Sequence, residues 1–189
     1  MEVNLNIHQS IIDRCKSGES NAYYELYTLY SKAMFNVTLR IVGRHDEAED
    51  VLQDAFVSAF SHINSFKGTS TFGAWLKRIV VNKAISYIHK NRVEVVDIDE
   101  HPVDAIPDSD DGETTYDVEG VKWALNKLPE GYRVVFSLYL LEGYDHKEIA
   151  GILNITESTS KSQYNRAKKK LREILKEGGK YETRGQRSS

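Results

Sequence analysis

Between residues 93 and 119 the chain carries eleven Asp and Glu and no Lys or Arg, and Pro102 and Pro107 fall inside the same stretch. Proline fixes φ and removes a backbone donor, so neither a long helix nor a central strand runs through such a segment. Like charges at this density repel and keep a chain extended. The stretch predicts a flexible acidic linker, set at residues 93–115. It divides the 189 residues into two parts, 1–92 and 116–177, each of which has to close a small core of its own.

Composition narrows the class. Hydrophobic residues make up 40% and charged residues 28%, a globular balance richer in apolar groups than a disordered chain. Twelve glycines and three prolines argue against a turn-rich all-β protein. Cys15 is the single cysteine, so it forms no internal bridge and fits a reducing compartment. No apolar run approaches a membrane span and residues 1–20 lack a signal-peptide core, so the expectation is a cytoplasmic protein without direct membrane insertion. The net charge of −3 conceals segregation: residues 66–92 hold six Lys/Arg and no acid, and residues 160–189 hold ten Lys/Arg against three Glu.

Helical periodicity governs both parts, and the expected fold class is all-α, two small helical domains joined by the linker. In the first, residues 8–16 are a short periodic stretch and residues 22–42 a longer one, stopped by Gly43. In a helix opened by Asp46 or His45, one stripe holds Ala48, Val51, Leu52, Ala55, Phe56 and Ala59. Its opposite face carries Glu47, Asp50, Gln53, Asp54 and Val57, with no basic partner in the helix. A further helix starts near Thr71, with Phe72, Leu76, Ile79, Val80 and Tyr87 toward the core. The second part predicts four helices: 121–128; one begun by Pro129 and running to about Leu141; one opened by an Asp145–Glu148 capping box; and one from Glu157 to about Glu177 behind Thr156. Residues 178–189 are expected to be a disordered tail.

Two segments suit nucleic acid. In the second part, Ile149, Ala150 and Leu153 fit the inner face of a first helix, and Asn154 stands where a helix–turn–helix calls for positive φ. Ser160, Tyr164, Ala167 and Leu171 then point inward, leaving Ser158, Lys161, Ser162, Gln163, Asn165, Arg166 and Lys169 for base edges and phosphates in a major groove. An αα-hairpin with a solvated basic helix is the plain alternative. In the first part, Trp75, Arg78 and Asn82 fall on one flank behind a small polar loop, Gly68-Thr69-Ser70-Thr71. An aromatic face stacks on an unpaired base, cations follow the backbone, and hydroxyls and an amide read base edges. On spacing alone, Trp75 serves equally well as a core residue.

The segments DEAEDVLQDAFVSAF, FKGTSTFGAWLKRIVVNKA, ALNKLPEGYRVVFSLYLLEGYDHKEIAGIL and TSKSQYNRAKKKLREIL, in this order, resemble the extracytoplasmic-function (ECF) group of the sigma-70 family. The resemblance implies a region 2-like helical bundle over residues 1–92 and a region 4-like helix–turn–helix domain over 116–177. It implies that Asp50, Gln53, Asp54 and Val57 dock on the β′ clamp helices of core RNA polymerase, whose β subunit is also a partner. It implies that Lys67, Thr69, Ser70, Thr71, Trp75, Arg78 and Asn82 hold the melted −10 strand of promoter DNA. Ser158, Lys161, Ser162, Gln163, Asn165, Arg166 and Lys169 would contact the −35 duplex. Many relatives carry Gly, Val and Arg where this chain has Ser158, Ser160 and Gln163. An anti-sigma factor is a further partner implied by the family.

Two other classes remain at this point. One is a dimeric helix–turn–helix regulator with an N-terminal effector or dimerisation domain. The other is an enzyme, but His62, His89, His101 and His146 are scattered, and there is no HExxH, cysteine ligand set or phosphate-cradling glycine loop. Neither a cofactor nor a metal is expected, and no catalytic residue is assigned.

Overall fold

The computed structural model describes residues 7–91 and 118–185, which fall in two compact units. The residues read as an acidic linker, 93–115, lie outside the described residues, and description resumes with a helix that begins at Val118. Every regular element among the described residues is helical.

In the first unit, α1 (Gln9–Lys16), α2 (Ser20–Val42), α3 (His45–Ser61) and α4 (Phe72–Asn91) follow in order, with one 3₁₀ turn at Ile63–Ser65. Helices α2, α3 and α4 pack on one another, and α1 lies against α2 and the 3₁₀ turn. The stripe predicted for α3 is the buried one: Ala48, Val51, Leu52, Ala55, Phe56 and Ala59. Its three alanines let neighbouring backbones approach, while Phe56 fills the space between. In α2 the buried residues include Ala22, Leu26, Met34, Val37 and Ile41, again at three- and four-residue steps. Gly43 ends α2 at φ 88°, a left-handed conformation that costs a side-chain-bearing residue about 1 kcal/mol or more. Its N–H closes on the Leu39 carbonyl at 2.8 Å.

Helix α4 buries Phe72, Leu76, Val80, Val81, Ala84, Ile85 and Ile88. Ile79 and Tyr87, predicted on the core side, are only half-buried. The core stripe turns instead through Val81, Ala84 and Ile85, because α4 is gripped by two neighbours, α2 and α3, and needs a wider apolar arc. Each large aliphatic side chain fully buried here contributes about 1.5–3 kcal/mol.

The second unit comprises α5 (Val118–Lys127), α6 (Glu130–Phe136), a π-helical turn (Ser137–Leu141), α7 (His146–Leu153) and α8 (Glu157–Gly185). Helix α8 packs against α5, α6 and α7. Ala124, Leu125, Leu128, Phe136, Ala167, Leu171 and Ile174 form its core. Three differences from the periodicity reading stand out. Pro129 is the residue before α6, at φ −51° and ψ 143°, and not part of its first turn. The helix predicted to reach Leu141 widens after Phe136 into i→i+5 bonding, with the Glu142 N–H on the Ser137 carbonyl at 3.0 Å. Helix α8 continues to Gly185, past the end set at Glu177, so residues 178–185 of the expected tail are helical; residues 186–189 lie outside the described residues.

Candidate nucleic-acid interfaces

On α3, the side opposite the core presents Asp50, Gln53, Asp54 and Val57 to solvent, and Val57 is 66% exposed. The acids at the start of the helix have partners that the helix alone did not offer. Arg44, just before α3, pairs with Asp46 at 3.2 Å and Glu47 at 3.0 Å. The Glu47 backbone N–H and the Arg44 guanidinium hold the Asp46 carboxyl below its ordinary range. Asp50 and Asp54, further along the helix, stand toward solvent on the same side as the apolar Val57. Next to them, a groove between α2 and α3 is lined by Tyr27, Phe35, Leu52 and Gln53, with Lys32 and Glu49 supplying opposite charges.

The polar loop before α4 leaves Lys67, Thr69, Ser70 and Thr71 exposed around Gly68, whose φ of 72° turns the chain. Thr71 has a second duty. Its hydroxyl accepts the Ala74 N–H at 3.2 Å and so caps the first turn of α4. Trp75 follows on that first turn and is half-buried. Its ring lies 5.5 Å from Phe66 and 5.4 Å from Phe72, both of which are buried. The two readings of Trp75 are therefore compatible: part of the indole packs on the core and part remains accessible. Arg78 and Asn82 are exposed on the next turns of the same helix.

In the second unit, α7 and α8 meet through a turn with the expected chemistry. Asp145 accepts from the Glu148 N–H at 2.8 Å and Glu148 accepts from the Asp145 N–H at 2.9 Å, a complete capping box. Asn154 adopts φ 55°, ψ 47°. Thr156 accepts from the Thr159 N–H at 3.0 Å at the start of α8. On α8, Ser158, Lys161 and Lys169 are exposed, and Ser162, Asn165 and Arg166 are half-exposed. Lys161 is held by Glu157 at 2.6 Å, and the Ser162 hydroxyl donates to the Thr159 carbonyl at 3.0 Å.

Gln163 departs from the prediction. It is 6% exposed and belongs to the interior, not to the half-exposed side with Ser162 and Arg166. The physical reason is angular: Ser160, Gln163 and Ala167 are three and four residues apart, so they share the inward stripe. Sequence reasoning also missed His146. Its imidazole Nδ1 bonds the buried Ser160 hydroxyl at 2.9 Å, and its ring stacks on Tyr139 at 4.3 Å and 12°. Burial, and then the Lys161 charge, push the His146 pKa down. The signal was present as a polar residue at an inward position, which demands a partner from the facing helix.

Comparison with known proteins bears on both units. Residues 26–93 match the model of sigma-70 region 2, and residues 123–171 match that of sigma-70 region 4. The chain is 30% identical over 158 residues to the ECF RNA polymerase sigma factor SigM of Bacillus subtilis, covering 82% of this chain and 95% of that protein. The chain belongs to the ECF group of the sigma-70 family. Another ECF sigma factor of Bacillus subtilis, SigW, is 29% identical over 184 residues, covering 88% of this chain and 95% of the relative. Among solved structures, the sigma factor RpoE of Bartonella quintana, in complex with the anti-sigma factor NepR, superposes with a TM-score of 0.54 at 28% identity. That match covers 82% of this chain and 96% of the other. In this ECF sigma factor, the acidic face of α3 and the loop with Trp75 both fall within the region 2 match. The exposed face of α8 from Ser158 to Lys169 falls within the region 4 match. Helix α1 precedes the region 2 match.

Proposed function

We propose that this ECF sigma factor binds core RNA polymerase and gives it promoter specificity, acting by binding and not by catalysis, in the cytoplasm where the polymerase works. The observation that carries the proposal is the half-buried Trp75, fixed by Phe66 and Phe72 and flanked by the exposed Arg78, Asn82 and a hydroxyl-rich loop. That arrangement offers an unpaired base a rigid aromatic platform with a cation and an amide beside it, and base–aromatic stacking contributes about 1–3 kcal/mol per base. Asp50, Gln53, Asp54 and Val57 form the polymerase-docking face, acids around an apolar point, complementary to a basic helix pair. Lys67, Thr69, Ser70 and Thr71 join Trp75, Arg78 and Asn82 in holding the −10 non-template strand. Ser158, Lys161, Ser162, Asn165, Arg166 and Lys169 read or anchor the −35 duplex, while Gln163 supports the helix from within.

The domain roles follow: the first unit docks and melts, and the second holds the upstream duplex. Residues 93–115 join them as an acidic linker. An anti-sigma factor is the natural regulatory partner, as in the RpoE–NepR complex. In vitro transcription with purified core polymerase on genomic DNA tests the proposal. Specific transcripts that depend on this protein support it. A protein that ignores core polymerase and binds palindromic duplex as a dimer overturns it. Within a functional holoenzyme, Trp75→Ala should slow promoter opening about tenfold or more, and an unchanged rate refutes the stacking role.

A further inference from the structure

Lys16 closes the last turn of α1, ahead of the segment that matches region 2. Its ammonium donates to the backbone carbonyl of Phe66 at 2.9 Å and lies 5.6 Å from the centre of the Phe66 ring. The two residues are fifty positions apart in sequence, so this is a tertiary tie and not a local one.

Phe66 is the last residue before the strand-capturing loop. It leaves the 3₁₀ turn Ile63–Ser65, with its own N–H returned to the Ile63 carbonyl at 3.1 Å. Phe66 is 2% exposed, and its ring meets Phe72 and Trp75, each at 5.5 Å. One residue therefore anchors the loop backbone and supports the tryptophan. The orientation of the peptide after Phe66 sets the direction in which Lys67 departs. Gly68, at φ 72°, then supplies a conformation with many neighbouring alternatives. A charge-assisted bond is stronger and more directional than a neutral one, and Lys16 places one on the carbonyl that aims the loop.

A second tie serves the far end. The His8 imidazole bonds the Tyr30 hydroxyl at 2.9 Å, and the Tyr30 ring meets Phe72 at 5.3 Å. A Cβ at Gly73 would lie 3.2 Å from that Tyr30 ring, so the start of α4 is seated closely on it.

We propose that Lys16 is a positioning residue for single-strand recognition: by holding the Phe66 carbonyl it fixes the course of residues 67–71 and the seat of Trp75. The inference rests on the assignment of this loop and Trp75 to the non-template strand. A residue that only stabilised the fold would change the melting temperature and leave base selectivity alone. A residue that aims the loop changes selectivity as well.

The test uses reconstituted holoenzymes carrying the wild-type chain, Lys16→Met, Lys16→Arg and Trp75→Ala. The probe is a fluorescent single-stranded oligonucleotide enriched from a randomised pool by the wild-type holoenzyme, with a set of single-base variants. Lys16→Met should bind the probe about five- to tenfold more weakly and lose a similar factor of discrimination between bases, with core-polymerase affinity held within about twofold. Lys16→Arg, which restores a cationic donor, should recover most of both. Lys16→Gln keeps an N–H but drops the charge and should fall between them, and it serves if the Met variant does not assemble. Unchanged affinity and discrimination in Lys16→Met, alongside their loss in Trp75→Ala, overturns the positioning role alone. If Trp75→Ala also binds like wild type, the strand assignment fails and the Lys16 inference falls with it.

Discussion

Gln163 and Arg166 lie less than one turn apart on the same helix, yet one is inside and the other half-exposed. Substituting them should separate stability from recognition. Gln163→Ala should cost about 1 kcal/mol in urea denaturation and leave the preferred −35 sequence unchanged. Arg166→Ala, at a proposed −35 contact, should weaken duplex binding and change the preferred −35 sequence. A selection of bound duplexes from a random pool, run beside the denaturation curves, checks both. Single residues with a strong backbone requirement are legible in the sequence. Asn154 is read as a positive-φ position because asparagine tolerates that conformation, and it adopts φ 55°. Gln163 is misread because a polar residue in a basic helix looks solvated, and only the angular position relative to Ser160 and Ala167 reveals its burial.

At the scale of elements, the interface between α7 and α8 holds a polar bond where an apolar pair would be simpler. His146 faces the Ser160 hydroxyl, the rings of Tyr139 and Tyr164, and the charges of Lys161, Glu157 and Asp145. Burial and Lys161 favour neutral imidazole, so the folded pKa lies below the ordinary value of about 6.5. The unfolded chain then binds a proton more readily, and stability rises with pH through this range. The contribution is complete above about pH 6.5 and fades as pH falls through the depressed folded value. The melting temperature of the full chain should drop more steeply between about pH 7 and about pH 5 in wild type than in His146→Gln; equal slopes refute the account. Helix boundaries set by capping chemistry, at Asp145, Thr156 and Gly43, are recoverable from sequence because each is a local hydrogen-bond or φ requirement. The π turn after Phe136 is not, because Ser137–Leu141 has ordinary helical periodicity and nothing in its spacing marks the widening. The arc of α4 is hidden for a similar reason: two neighbouring helices define its buried side, and spacing along one helix does not show them.

For the whole molecule, the net charge of −3 gives little overall attraction to DNA, so the proposed duplex binding relies on local basic surface, that of α8 in the proposed assignment. Removing one phosphate-binding cation should then have a measurable effect by itself. Lys169→Ala should reduce the log–log salt slope of duplex binding by about one, uniformly across DNA sequences. On the opposite side of the electrostatic scheme, Asp54→Lys should weaken core-polymerase binding about tenfold or more without lowering the melting temperature, as measured by competition with a labelled wild-type chain. Joining both units to one polymerase raises their effective concentration on the promoter, so neither needs high affinity alone. The division into two helical units is legible because the acidic, proline-bearing stretch interrupts the periodicity. Among the described residues, the buried cluster of the second unit draws on side chains from Ala124 to Ile174, with Val121 and Leu175 packed against it. Under the proposed roles, heredity gains latitude from that separation: a lineage could retune how it picks its upstream landmark by drifting within the C-terminal half, and the N-terminal half would go on prising bases apart undisturbed.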